Sequence, residues 1–460
     1  MKEKATNRMG SEPVKKLLIL MGIPMILSMM LQAVYNIVDS AFVANIKDNG
    51  EWALNALTLA FPIQMFMVAI GIGTGVGTNA LLAKSLGQGD RDKASKVAGN
   101  AISLAVVIYI IFALFGIFGV DIYVSSQTSN VIIREMAVSY LQICCIASIG
   151  IVFFSIFEKL LQATGRSLYS TIAQIVGAVV NMILDPIFIY GYFGVPQLGV
   201  KGAAIATVAG QIISLILAVI FHLKLNKEIK NGITYLKLNK KIVKGIYAIG
   251  FPAIIAQALM SVMTYALNII LVKVSENAVT AYGLYYKIQQ FVLFAAFGLR
   301  DAITPVVSFN HGMRSKKRVK EGVKYGMIYT IIIMTAGLLI MEIFAEPFAK
   351  IFGLSGQTQS MCISAMRVIS LSFIFAGINV ALQGVFQALD SGFESLIISI
   401  LRQFLLVVPV AYGFALIAVK DIEYIWLVWS TFPIAEIVSS IVAILFMKKI
   451  NTKKINTLEV

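Results

Sequence analysis

The sequence predicts an all-α integral membrane protein whose 12 transmembrane helices form two pseudo-symmetric six-helix lobes. Of its 460 residues, 58% are hydrophobic and only 13% are charged, whereas a soluble domain carries about 25% charged residues. Lipid must therefore solvate much of the surface. Two further observations predict this fold: apolar runs long enough to cross a bilayer recur along the chain, and the second half repeats motifs of the first.

A membrane-spanning helix needs about 20 mostly apolar residues, and a segment in lipid must satisfy its own backbone groups, which favours helices. Twelve runs of the chain meet this condition, with approximate limits of 16–45, 53–83, 97–119, 131–157, 168–193, 201–223, 243–272, 277–307, 322–345, 360–388, 395–419 and 424–447. The first run is too long for a signal peptide and has no convincing cleavage site, so we expect a retained span.

Lysine and arginine residues predict the orientation of these runs. The N-terminal tail has five, and the loops after the second, sixth and eighth runs hold four, seven and six, whereas the alternate loops hold one or two each. Because basic loops stay on the cytoplasmic side, we expect a cell-membrane protein with both termini in the cytoplasm. The formal charge of +15 is spread over these short loops, so it does not indicate nucleic-acid binding.

The chain contains an internal repeat. The segment 85–94 (SLGQGDRDKA) resembles 308–317 (SFNHGMRSKK), and 23–30 (IPMILSMM) resembles 251–258 (FPAIIAQA). This predicts an N-lobe over 1–223 (helices 1–6), a cytoplasmic linker over 224–244 and a C-lobe over 245–460 (helices 7–12). Each lobe starts on the same side, so the two are related by an axis along the membrane normal. Many transporters have such repeats, with the transport path between them.

Acidic residues inside the membrane are costly and usually face a functional cavity. Asp39 lies in the first run, and Asn181 and Asp185 lie one turn apart in the fifth. Other polar residues share the faces of these helices: Ser28, Gln32, Tyr35 and Asn36 in the first run, Ser170 and Gln174 in the fifth, and Thr207, Gln211 and Ser214 in the sixth. Taken singly, the uncharged ones are also explained by hydrogen bonds between membrane helices.

The repeat distinguishes the two acids, because the corresponding positions near Leu267 and Val408 are not acidic. An architectural role would recur in both halves, so we predict a specific one. Two neighbouring carboxyls in a low-dielectric cavity titrate together. They can hold one H⁺, or one Na⁺ with Asn and Thr oxygens completing the shell. No cofactor and no other metal site is predicted, since the three Cys and two His form no ligand cluster.

Several other motifs have more ordinary explanations. The glycine-rich stretch 71–77 (GIGTGVG) lies inside an apolar run with no strand before it, so it predicts close helix packing rather than a phosphate loop.

Tyr282, Tyr286 and Gln289 form a polar-aromatic face in the eighth run that we expect to contact substrate. The chain has no HExxH motif and no buried Ser/His pair, so we do not expect an enzyme.

The 12 runs, the repeated motifs and the segment 181–210 (NMILDPIFIYGYFGVPQLGVKGAAIATVAG) together resemble the multidrug and toxic compound extrusion (MATE) family, in its DinF/MepA-like branch. The resemblance implies that Asp39, Asn181, Asp185 and Thr207 form an N-lobe cation site. A NorM-like branch places acids in the seventh and tenth helices. Here the seventh run offers Gln257 but no acid, so we expect no such C-lobe site.

The resemblance implies an antiporter that exports cationic or amphipathic small organic compounds by alternating access, coupled to H⁺ or Na⁺ entry. We expect a monomer in the lipid bilayer. The alternative is a flippase or exporter of a lipid-linked or lipid-like substrate. That function would need a cationic cavity for a phosphate head group, whereas the sequence offers an acid pair and few arginines in its apolar runs.

Overall fold

A computed structural model describes residues 7–47, 50–351 and 354–458, and within them every regular element is helical. The α-helices are α1 (Arg8–Ser11), α2 (Val14–Ala44), α3 (Gly50–Gly87), α4 (Arg91–Phe118), α5 (Val120–Gln127), α6 (Val131–Ile146), α7 (Ile149–Ala163), α8 (Ser167–Tyr190), α9 (Val200–Leu225), α10 (Lys240–Val274), α11 (Glu276–Gly312), α12 (Lys316–Ile351), α13 (Gly356–Ser370), α14 (Phe373–Ala388), α15 (Gly392–Ile400), α16 (Val407–Ala418) and α17 (Ile425–Ile450). Two π-helical turns, Leu401–Leu405 and Asn451–Ile455, follow α15 and α17.

Ten helical stretches of the described chain are long and apolar enough to cross a membrane. Two bent pairs are added to these: α6 with α7, at an angle of 44°, and α13 with α14, at 51°. If each bent pair is one span, the total is the predicted 12. The pairs correspond to the fourth and tenth predicted runs. Both are broken, and at corresponding places of the two halves.

Local sequence explains several helix ends. The Asp90 side chain caps α4 by accepting a hydrogen bond from the backbone N–H of Lys93 at 2.9 Å. Asn130 caps α6 in the same way. Gly191 ends α8 in the left-handed conformation, with φ of 79°, which glycine adopts without steric cost.

The chain divides into two compact units. The first unit contains Met1–Arg8 and Leu27–Ile254, and the second contains Met9–Ile26 and Ile255–Val460. Helices α2 and α10 therefore each contribute to both units, and each changes unit two residues after an internal proline, Pro24 or Pro252. These units differ from the contiguous lobes predicted over 1–223 and 245–460. The boundaries of those lobes stay a prediction from the repeat.

In the first unit, the glycines of α3 lie at two helix contacts. Gly71 and Gly75 face α7, while Gly73 and Gly77 face the beginning of α10. A Cβ on Gly73 would lie 2.8 Å from the carbonyl oxygen of Gly250, so any larger residue would push the helices apart. The glycine-rich stretch thus serves close helix packing, as predicted.

Candidate cation site

Three helices of the first unit bring the four predicted cation-site residues together. Asp39 lies on α2, Asn181 and Asp185 on α8, and Thr207 on α9, and all four side chains are buried. Asp185 is fully buried and Asp39 is 8% exposed. Their carboxyl groups lie within hydrogen-bonding reach of each other. Residues far apart in the sequence therefore meet at one point of the fold.

Asn181 connects the acids to α9. Its Nδ2 donates to Asp185 Oδ1 at 3.4 Å and to Thr207 Oγ1 at 3.5 Å. Both distances are at the long end for hydrogen bonds, so the two contacts are weak. Tyr35, one turn before Asp39, reaches the Thr207 hydroxyl from α2. The arrangement is a ring of oxygen-bearing side chains held together loosely by one amide.

Three buried oxygens of this ring have no hydrogen-bond partner among the described residues: Asp39 Oδ1, Asn181 Oδ1 and Asp185 Oδ2. Leaving a buried polar atom unpaired costs about 1–3 kcal/mol, and more when it is charged. A small cation bound in the ring would supply a partner for such oxygens, since carboxylate and amide oxygens are the ligands that hard cations prefer. A proton shared by the two carboxyls would also reduce the cost. The donor set therefore fits H⁺ or Na⁺.

Close packing of α8 and α9 places the ring. A Cβ on Gly177 would lie 2.5 Å from the carbonyl oxygen of Gly210, and one on Gly210 would lie 2.9 Å from the Cβ of Asn181. Only hydrogen atoms fit at these two positions, so the helix backbones can approach closely. This approach brings Asn181 next to Thr207.

Two hydrogen bonds connect α2 to α8, one on each side of the acid pair. On one side, the Ser28 hydroxyl donates to the side-chain oxygen of Gln174. On the other, the Tyr190 hydroxyl donates to the carbonyl of Phe42 at 2.7 Å, one turn beyond Asp39. These two contacts fix the register of α2 on α8 and so hold Asp39 opposite Asp185.

A cavity of about 90 Å³ adjoins the ring. The predicted cavity residues Gln32, Tyr35, Gln174 and Gln211 line it together with Asn181 and Thr207. Drug-sized ligands occupy about 300–1,000 Å³. This cavity is therefore of a size for an ion and a few water molecules, and the organic substrate must bind elsewhere or in another conformation. The side chain of Asn36, also predicted here, lies outside the described residues.

The sequence analysis did not predict that side chains of α3 and α6 contribute to the surroundings of Asp39. Tyr140 is buried close enough to Asp39 to interact with its charge. Its hydroxyl accepts a hydrogen bond from Gln64 Nε2 at 3.2 Å. Cys144 lies one turn later on the same helix, also near Asp39. The spacing of Tyr140 and Cys144 marks one face of α6, but nothing in the sequence says what that face meets.

The other predicted substrate contacts, Tyr282, Tyr286 and Gln289, belong to α11 in the second unit. Tyr282 is fully buried, with its ring stacked on Trp429 at 6.2 Å and on Phe432 at 6.1 Å. Packing against α17 thus explains why the Tyr282 ring is buried. A contact of these residues with substrate stays a prediction.

The second unit buries a different kind of carboxyl. Glu436 on α17 accepts hydrogen bonds from Arg402, at 2.9 Å from Nε and 2.5 Å from Nη2, and from Asn379 Nδ2 at 2.7 Å. Arg402 stands in the π-helical turn that interrupts the span of α15 and α16. This carboxylate already has a counter-charge and donors. The acid pair of the first unit has no counter-charge in its ring and only the weak donor Asn181, and this separates the two sites chemically.

The MatE family model matches the chain over residues 24–187 and 252–413, once in each half. The chain belongs to the MatE family of transporters. Its two matched segments agree with the internal repeat.

Among curated MatE relatives, the Multidrug export protein MepA of Staphylococcus saprophyticus is 24% identical over 391 residues, covering 85% of each chain. A solved structure described as MATE in complex with MaL6 superimposes with a TM-score of 0.90 at 25% identity over 99% of each chain. An outward-facing multidrug resistance MATE transporter of the MOP superfamily gives 0.87 at 25% identity, covering 96% of this chain and 97% of that one.

Proposed function

We propose that this MatE transporter is an antiporter that exports cationic or amphipathic organic compounds in exchange for H⁺ or Na⁺. The observation that carries the proposal is the acid pair of the first unit: two buried carboxyls with unpaired oxygens and no basic partner in their ring. The staphylococcal relative is a multidrug export protein, and this supports the substrate class.

The acid pair supplies the coupling. When Asp39 and Asp185 are both ionised, two like charges face each other in a low-dielectric site, which is unfavourable. An H⁺ or Na⁺ relieves this repulsion, and Asn181 and Thr207 add oxygens for Na⁺. If the cation-loaded and drug-loaded proteins prefer different conformations of an alternating-access cycle, each ligand disfavours the other, and this difference in affinity drives exchange.

The test is efflux of a fluorescent organic cation from proteoliposomes in which the Na⁺ and pH gradients are imposed separately. Asp39→Asn and Asp185→Asn remove one charge each at nearly constant size. Both are expected to lower gradient-driven efflux at least tenfold, about the effect of 1.4 kcal/mol. Asp121→Asn is the matched control, because Asp121 is an exposed partner of Arg134. Full transport by Asp39→Asn would refute the assigned role.

We further propose that the chain resides in the cell membrane as a monomer with both termini in the cytoplasm. The distribution of lysine and arginine supports the orientation. The ring of Asp39, Asn181, Asp185 and Thr207 is formed within one unit of one chain, so a single copy supplies the whole cation site. Light scattering of the purified protein tests the monomer.

A further inference from the structure

The second unit carries a groove of about 580 Å³ on the surface formed by α12, α14 and α17. Its walls have two chemically distinct ends. Lys320, Lys324 and Lys448 line one end, and the other lining residues are almost all apolar, among them Met327, Ile331 and Ile378. No acidic side chain lines the groove within the described part of the chain.

Helix geometry places the three lysines together at one end. Lys320 and Lys324 lie near the beginning of α12, whereas Lys448 lies in the last turn of α17. The two helix ends are neighbours, since Lys316 Nζ donates to the carbonyl of Asn456 at 3.4 Å. The groove therefore presents a cluster of positive charge at the ends of two membrane-spanning helices.

The apolar walls extend from this cluster along α12. From Lys320 to Ile331 is 11 residues of α12, or about 16 Å at 1.5 Å per residue. That is roughly half of a 30 Å hydrocarbon core, the depth of one leaflet. Ile328 and Ile444 on the groove walls are 38% and 43% exposed, so the groove is open to its surroundings along its apolar length.

We propose that this groove binds an anionic phospholipid from the leaflet on the lysine side. The phosphate of the head group contacts Lys320, Lys324 and Lys448, and one acyl chain lies along the apolar walls. Basic pockets between membrane helices bind anionic head groups in this way. The charge excludes the cationic substrates of the proposed transport function, and the one-leaflet depth matches an acyl chain better than a water-soluble anion or a folded partner.

The test is native mass spectrometry of the full-length protein in detergent, with phosphatidylglycerol and phosphatidylcholine of identical acyl chains as probes. The wild-type protein is expected to retain phosphatidylglycerol preferentially. Since a lysine near the membrane surface contributes roughly a fivefold gain in affinity for anionic lipid, the triple variant Lys320→Gln/Lys324→Gln/Lys448→Gln should lose at least about tenfold of this preference.

The matched control is Lys240→Gln/Lys241→Gln/Lys244→Gln, which removes the same charge from exposed lysines at the start of α10. It should keep the preference. Equal loss in both triple variants, or preference unchanged by the groove variant, would overturn the proposal. Ile331→Trp narrows the apolar end without changing charge. It should reduce retention of both lipids, and unchanged retention would also contradict the assigned acyl-chain path.

Discussion

The carbonyl oxygen of Gly177 lies 2.6 Å from the place that a Cβ on Gly210 would occupy, where α8 meets α9. This contact sets the separation of the two helices that carry Asn181, Asp185 and Thr207. The geometry of the proposed cation site thus depends on two residues that have no side chain.

Gly210→Ala should lower stability by about 1–3 kcal/mol, because the added methyl group overpacks a tight helix contact. It should also weaken cation binding by displacing Asn181. Thermal unfolding in detergent, with and without Na⁺, measures both effects. Gly283→Ala is the control, since a Cβ there meets no atom within 4 Å. Equal stability of the two variants would contradict the packing argument.

Thr207→Val should reduce Na⁺ affinity about tenfold, because it replaces a ligand oxygen by a methyl group of similar size and leaves Asn181 with one partner fewer. Na⁺-dependent thermal stabilisation measures the change. Thr58→Val is the control, as Thr58 is exposed on α3. If only H⁺ occupies the site, the Thr207→Val variant will keep its proton-driven efflux. In that case Na⁺ will raise the thermal stability of neither the wild-type protein nor the variant.

Glu436→Gln should destabilise the second unit by about 3–5 kcal/mol, because it leaves the buried Arg402 without its counter-charge. The cation-coupled efflux per folded molecule should persist, since the Glu436 carboxylate belongs to an ion pair and not to the proposed cation site. Chemical unfolding and proteoliposome efflux separate the two readouts. The double variant Arg402→Met/Glu436→Leu should recover most of the stability. A Glu436→Gln protein that is stable but no longer couples efflux to the cation gradient would instead indicate a coupling site in the second unit.

Cysteine labelling tests the orientation. The native Cys144, Cys145 and Cys362 are buried, so a membrane-impermeant maleimide should leave them unmodified in intact cells. Gln127→Cys, in a predicted external loop, should react at once. Thr234→Cys, in the lysine-rich linker, should react only after the membrane is permeabilised. The reverse pattern would show that the termini face outward.

Much of the fold, and the residues that meet at the candidate site, could be predicted because periodicity is a local property. The spacing of Asn181 and Asp185 places them on one helix face wherever that helix packs. The long apolar runs identify spans without any knowledge of their neighbours, and the MatE match confirms the family that the motifs indicated.

Other features depend on contacts that no local pattern encodes. The break after α6 lies at Ala147 and Ser148, with neither proline nor glycine at the bend. Lys159 lies just beyond the end of the fourth predicted run, yet it is buried, and its Nζ donates to Gln162 Oε1 at 2.9 Å. In both cases the environment comes from neighbouring helices, whose register a single sequence does not specify.

The small cavity beside Asn181 and Thr207 has a consequence for the choice of ion. With about 90 Å³ available, a cation arriving there keeps at most a few water molecules and must take its other ligands from the protein. Mg²⁺ gives up its water shell reluctantly and usually keeps several of those molecules. The cost of dehydration therefore disfavours Mg²⁺ in this cavity, even though acidic groups nearby would attract it.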